Sequence, residues 1–151
     1  MDGREDVVRL FLEKGADVNA QGGTYGNALQ AASCYGQKAI VRLLLENGAD
    51  VNALGGEYGN ALQVASHVGH IDVVRLLLEK GADVNAQGGR FCNALQVASC
   101  YGHEAVVRLL LEKGADVNAQ GGTYGNTLQA ASCYSHEAVV RLLLEIGRAH
   151  V

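Results

Sequence analysis

The stretch that decides the fold is Gly22–Gly36, "GGTYGNALQAASCYG". It returns as "GGEYGNALQVASHVG" at 55–69, "GGRFCNALQVASCYG" at 88–102 and "GGTYGNTLQAASCYS" at 121–135. A second string keeps the same step. "GAD" begins at Gly15, Gly48, Gly81 and Gly114, at intervals of 33 residues, and Gly147 opens a decayed copy. "VRLLLE" starts at Val41, Val74, Val107 and Val140, with the variant "VRLFLE" at Val8. A fixed period in this range marks units that cannot bury their apolar faces alone and must stack on their neighbours.

Within one unit, Asn27 precedes "ALQAASCYG". The Asn side-chain oxygen can accept from a free N–H of a first helical turn, so Asn27 reads as an N-cap. Gly36 reads as the C-terminal stop. The result is a helix of about two turns, followed by a second helix over Gln37–Glu46 that ends before Gly48. Isolated helices below roughly 12–15 residues are marginal in water, so both need tertiary support. The longer helix shows where it comes from. In "HEAVVRLLLEK" the polar residues Glu104, Arg108 and Glu112 form one narrow stripe, and Ala105, Val106, Val107, Leu109, Leu110 and Leu111 fill the rest. A surface helix normally has one apolar stripe; here the proportions are inverted, so the helix is covered on about three sides. Between units, "ADVNALGGEYGN" (49–60) carries paired glycines that permit φ > 0, and it reads as a protruding hairpin-like finger.

Composition agrees with a folded, non-basic chain. Of 151 residues, 48% are hydrophobic, enough for a core, and 19% are charged. The net charge of −4 argues against a phosphate-tracking surface, which needs a basic stripe. No apolar run approaches the eighteen or so residues of a membrane helix. The charged opening "MDGRED" lacks an apolar leader, which predicts an intracellular, in the first instance cytoplasmic, chain.

The unit resembles the ankyrin repeat. "GHEAVVRLLLEKGADVNA" at 102–119 matches that family's second helix and finger entry almost residue for residue, and the likeness runs over essentially the whole chain. It implies an all-α solenoid of helix-loop-helix units with β-hairpin-like fingers: a half repeat at 1–20, full repeats at 21–53, 54–86 and 87–119, and a last repeat at 120–151 without a following finger. The chain departs from the family at the start of the first helix. Asn27-Ala28-Leu29-Gln30 stands where Thr-Pro-Leu-His is usual, with Asn as cap, Ala at the first helical position, and Gln30 placed to hydrogen-bond where His would. Tyr25 stands where the family's turn glycine sits, with Gly26 one place later. The "GGxYGNALQAAS" form is similar to ankyrin arrays of fungal multidomain proteins, often those with a NACHT-type ATPase module. "GGTYGN" itself lacks the Gly-Lys-Ser/Thr ending of a phosphate loop.

Cys34, Cys100 and Cys133 share one register with His67. Equivalent residues of stacked helices stand about 8–10 Å apart, too far to share a zinc ion bound at about 2.0–2.3 Å; a disulfide is excluded on similar grounds. These read as free thiols, and Cys92, in a finger, reads as an exposed one. His103 and His136 belong to a turn whose histidines, by the resemblance, are structural. No cofactor, metal or catalytic constellation is expected. The arginines from Arg9 to Arg141 and the glutamates from Glu13 to Glu145 form a solvated outer stripe, with Arg preceding Glu in the less favourable order for an i,i+4 pair.

Two zones vary among copies. One is the finger tip, Thr24, Glu57, Arg90 and Thr123, beside the aromatic row Tyr25, Tyr58, Phe91 and Tyr124. The other is the end of the first helix, Cys34, His67, Cys100 and Cys133 with Tyr35, Val68, Tyr101 and Tyr134. The resemblance places both in a concave groove that binds a partner protein, with no chemistry; the aromatic rings serve either as binding anchors or as packing between fingers. The alternative is a structural spacer or self-association element of a larger multidomain protein with no specific ligand; the chain is expected to be a monomer, with end-to-end association through its uncapped ends as the exception. Val7, Val8, Leu10, Phe11 and Leu12 are expected to lack part of their cover.

Overall fold

A computed structural model describes residues 3–149; the outermost residues of the first and last units, 1–2 and 150–151, lie outside it. The described residues form nine helices: α1 (Gly3–Glu13), α2 (Ala28–Cys34), α3 (Lys38–Glu46), α4 (Ala61–Val68), α5 (Ile71–Glu79), α6 (Ala94–Cys100), α7 (Glu104–Glu112), α8 (Thr127–Cys133) and α9 (Glu137–Ala149). The short helices pack in file, α2 on α4 on α6 on α8, and the long ones run beside them, α1 on α3 on α5 on α7 on α9. Each short helix also packs on the long helix that follows it. This is the all-α repeat solenoid that the period implies.

Equivalent residues fill equivalent places. Leu29, Leu62 and Leu95 of the short helices and Val41, Val74 and Val107 of the long ones are buried, as are Leu44, Leu77 and Leu110. Each such side chain contributes about 1.5–3 kcal/mol on burial, and the repetition spreads that stabilisation evenly along the stack. None of the described helices is long and apolar enough to cross a membrane.

The joints between units are polar as well as apolar. Asn27 caps α2, its Oδ1 accepting from the Gln30 N–H at 2.8 Å, while Gln30 Oε1 accepts from the Asn27 N–H at 3.1 Å. This is a capping box. The other end of the Gln30 amide crosses to the next unit, where Nε2 donates to the carbonyls of Gly59 (2.7 Å) and Gly55 (3.1 Å). Gln63 repeats the arrangement, donating to Gly88 and Cys92 and closing its own box with Asn60. Along the finger bases a second series recurs. Asn19 Oδ1 accepts from the Asp50 N–H and its Nδ2 donates to the Gly48 carbonyl; Asn52 and Asn85 do the same one and two units on.

The fingers are tighter than hairpins. Each of three tips closes with a single antiparallel bridge, Gly22 to Gly26, Gly55 to Gly59 and Gln120 to Asn126, and no strand forms among the described residues. The position after the aromatic residue needs φ > 0, taken by Gly26 (+90°), Gly59 (+99°) and Gly125 (+85°). In the third copy Cys92 holds it at +73°, where an L side chain is strained. A Cβ at Gly59 would lie 2.0 Å from Gln63 Oε1, so the side chain at 92 and the capping glutamine compete for one space. In this unit Gln96 Oε1 is buried without a partner and Gln96 Nε2 reaches only Ala119 at 3.3 Å, while the Asn93 N–H bonds the Phe91 carbonyl, as Asn126 bonds Tyr124 in the next copy beside Gly125. Cys92 is buried, not the exposed thiol that its place in a finger suggested, because the next finger closes over it: a Cβ at Gly122 would lie 2.9 Å from Cys92 Cβ.

The outer arginines pair with the glutamate before them, not the one after. Arg9 bonds Glu5, Arg108 bonds Glu104 and Arg141 bonds Glu137, the favourable helix order. Arg42 and Arg75 have Lys38 and Ile71 at that position. At the first helix Val7, Leu10 and Phe11 are exposed, while Val8 and Leu12 are half-buried.

Gln63→Leu keeps the volume but strands the Gly88 and Cys92 carbonyls and the Asn60 N–H. It should lower unfolding stability by about 2–4 kcal/mol, read as the urea midpoint. Cys92→Gly removes the left-handed strain and frees the space for the Gln96 box. Those gains outweigh the lost thiol burial and the extra unfolded-state freedom of glycine, so the variant should be more stable by about 1 kcal/mol.

Candidate functional site

The stack brings the two variable zones together. In the first full unit the hydroxyls of Tyr25, at the tip, and Tyr35, just past α2, are 3.0 Å apart. In the last unit Tyr124 and Tyr134 meet in the same way at 3.1 Å. From the second full unit to the last the rings are continuous: Tyr58 lies 4.8 Å from His67, His67 4.5 Å from Tyr101, Phe91 5.9 Å from Tyr101 and 6.3 Å from Tyr124, centroid to centroid. The edge-on and offset arrangements suit the ring quadrupoles and add about 0.5–1.5 kcal/mol per pair beyond burial. Packing between fingers is therefore one role of this row.

Exposure separates the candidates. Tyr35 (63%), Tyr134 (56%) and Tyr101 (43%) stand well into solvent. Thr24, Glu57, Arg90, Thr123 and Cys133 are exposed, and Tyr25, Cys34, Tyr58, His67, Val68 and Tyr124 are half-buried. Phe91 and Cys100 are not surface residues at all. They form a small buried cluster with Val97 and Ala130, flanked by Tyr58 and Tyr124. The reason is Phe91 itself: without a hydroxyl to hydrate, its ring turns inward and covers the Cys100 thiol.

Neighbouring tips are also tied together. The Glu57 N–H donates to the Thr24 carbonyl, and the Thr123 N–H and Oγ1 both donate to the Arg90 carbonyl. Arg90 and Glu57 approach to 3.9 Å with both side chains more than half exposed, and the Arg90 guanidinium lies 5.7 Å from the Phe91 centroid. An exposed pair of this kind contributes about 0–1 kcal/mol, so these charges contribute little to stacking.

The turn histidines bond to the preceding unit. His70 Nε2 donates to the Cys34 carbonyl at 3.2 Å, and His103 Nε2 donates to the His67 carbonyl at 2.9 Å; a carbonyl only accepts, which fixes the proton on Nε2. No described group of three or more His, Cys, Asp or Glu is placed to hold a metal ion. A cavity of about 360 Å³ lies away from the tips, lined by Leu111, Ala115, Val117, Leu142 and Ile146 with Arg108 and Glu112. It gathers no set of polar groups aimed inward and suggests no chemistry.

Titration follows burial and hydrogen bonding. The Tyr25 hydroxyl is pushed up to about 12, chiefly by its bond to Tyr35, and Tyr124 is raised likewise by Tyr134. Burial pushes the Cys92 and Cys100 thiols up, so neither is an activated nucleophile. His67 is held below the ordinary imidazole range by burial first and His103 second, with Glu57 opposing. Since the unfolded imidazole binds its proton more readily, this residue's contribution to stability is complete above about pH 6.5 and is lost as pH falls through the lower folded value. His67→Gln should flatten the acid side of a stability–pH profile measured by urea unfolding between about pH 7 and pH 5.

A search of curated proteins finds no match to the chain. The family model for ankyrin repeats (three copies) matches residues 1–88 and again 89–151. With the nine described helices in two files, joined by bridged fingers at a constant step, the protein is a member of the ankyrin-repeat family.

Proposed function

We propose that this array, like ankyrin repeats in general, binds a partner protein, and that it does so across the face formed by its finger tips and the ends of its short helices. The contact set is Thr24, Tyr25, Cys34, Tyr35, Glu57, Tyr58, His67, Val68, Arg90, Tyr101, Thr123, Tyr124, Cys133 and Tyr134, with Phe91 and Cys100 serving beneath it. The observation that carries this reading is the row of solvent-exposed tyrosines, Tyr35, Tyr101 and Tyr134, already fixed by contacts to the tips. A ring held in place before binding loses little conformational freedom on contact, and tyrosine is a typical binding anchor. The Glu57–Arg90 pair beside it offers both charges to a partner and is dispensable for the fold.

The reading needs no catalysis and no cofactor. The "GGxYGNALQAAS" form favours an array that reads ligands on behalf of a larger intracellular protein, of the fungal NACHT-containing kind, and the non-basic surface favours protein over nucleic acid.

The double variant Glu57→Arg, Arg90→Glu keeps an ion pair while reversing its direction. It should unfold within about 0.5 kcal/mol of the parent and lose roughly tenfold or more in affinity for a partner recovered by pull-down, about 1.4 kcal/mol or more. Retained affinity, measured by titration calorimetry with that partner, would remove the tips from the contact set.

A further inference from the structure

The face proposed for the partner is almost without charge. In the four stretches that make it, 22–36, 55–69, 88–102 and 121–135, Glu57 and Arg90 are the only residues of the Asp, Glu, Lys and Arg types, and these two approach each other to 3.9 Å. The imidazole of His67, held below its ordinary range chiefly by burial, adds no charge at pH 7. A strongly acidic or basic segment finds no complement here.

The face offers rings and hydroxyls instead. Tyr35, Tyr101 and Tyr134 stand well into solvent. Tyr101 belongs to an interior unit, so this exposure is a property of the face and not of the chain's ends. Each of the Tyr25–Tyr35 and Tyr124–Tyr134 contacts uses one hydroxyl proton, and either oxygen can be the donor. When the tip hydroxyl donates, the outer one keeps its O–H for a partner. In the third unit Phe91 has no hydroxyl, and the Tyr101 hydroxyl makes no hydrogen bond among the described residues. The row therefore presents neutral O–H donors, each at the edge of an aromatic ring.

The row also has a step. Stacked helices stand about 8–10 Å apart. Three residues of a polyproline II helix advance about 9 Å and bring the side chain back to the same face. A β-strand covers a similar length in three residues but turns the third side chain to the opposite face. An α-helix returns to one face after about seven residues, but its interior carbonyls are already bonded. Of the three, only polyproline II combines this step with free backbone carbonyls, the acceptors that tyrosine O–H groups require. Its proline rings suit aromatic-lined surfaces.

We infer that the partner segment held by this face is proline-rich and lies in polyproline II conformation along Tyr35, Tyr101 and Tyr134; this rests on the partner-binding reading above. In the second unit Val68 stands in the tyrosine register and offers no donor. The contacts therefore fall two units apart and then one, which calls for prolines spaced by about six residues and then about three.

The test is an NMR titration of the 151-residue chain with a capped, neutral oligoproline of about twelve residues, about 37 Å long. Saturable shifts are expected around Tyr35, Tyr101 and Tyr134, with half-saturation at roughly 1 mM or below. A capped Gly-Ser peptide of the same length is expected to leave the spectrum unchanged. Tyr101→Phe keeps the ring and removes the donor, and it should weaken oligoproline binding by about threefold to tenfold. Absent or non-saturable shifts, shifts elsewhere on the molecule, equal shifts with the Gly-Ser peptide, or parent-like binding by Tyr101→Phe each overturns the proposal. Failure here is distinguishable from failure of the broader reading. A pull-down partner that weakens on Glu57→Arg, Arg90→Glu yet is not displaced by oligoproline keeps the partner-binding face and removes the proline-rich segment from it.

Discussion

The structure depends on one side-chain amide per unit. Gln30 closes the cap of its own helix with one end and holds the next finger with the other. A seven-residue helix cannot persist by its own hydrogen bonds, and a glycine-rich finger has no side chains to pack. The amide gives each what it lacks. It also sets the spacing: both finger carbonyls must lie within reach of one Nε2, which leaves little freedom for a neighbouring unit to slide or tilt. Burial of leucine and valine supplies most of the stabilisation, but leucine tolerates displacement, whereas a buried amide with unsatisfied partners does not.

Much of this was legible before any coordinates. The period gave the unit, the inverted polarity of the long helix gave its cover on three sides, and Asn27 with Gly36 gave the limits of the short helix. The polar joints were only half legible. Asn27 and Gln30 announced a cap, but a sequence does not say that the far end of a glutamine crosses to another unit. The bridges made by Asn19, Asn52 and Asn85 to the following finger base carry no signal in the sequence for the same reason. The outer ion pairs run opposite to the expected order: Glu5, Glu104 and Glu137, four residues before Arg9, Arg108 and Arg141, make them, because a glutamate on the N-terminal side is the better placed of the two.

The candidate surface shows the same division. Its residues were chosen where copies differ. Which of them reach solvent does not follow from that, because exposure at a tip depends on the ring next door. Phe91 and Cys100 sit in the register of exposed residues and are nonetheless interior, since the loss of one hydroxyl let a ring fold inward. Cys92 was misplaced by the same kind of coupling, covered by a finger 30 residues later.

The substitution at Cys92 has a consequence for how the units keep their register. In a linear array each unit is held only by its neighbours. Between the first three short helices the amide crossing is complete; between α6 and α8 it is reduced to one long bond and leaves an oxygen unpartnered. The α6–α8 joint leans instead on the apolar cluster of Phe91, Val97, Cys100 and Ala130, so it has exchanged the polar lock that keeps its neighbours in register for a contact that tolerates sliding.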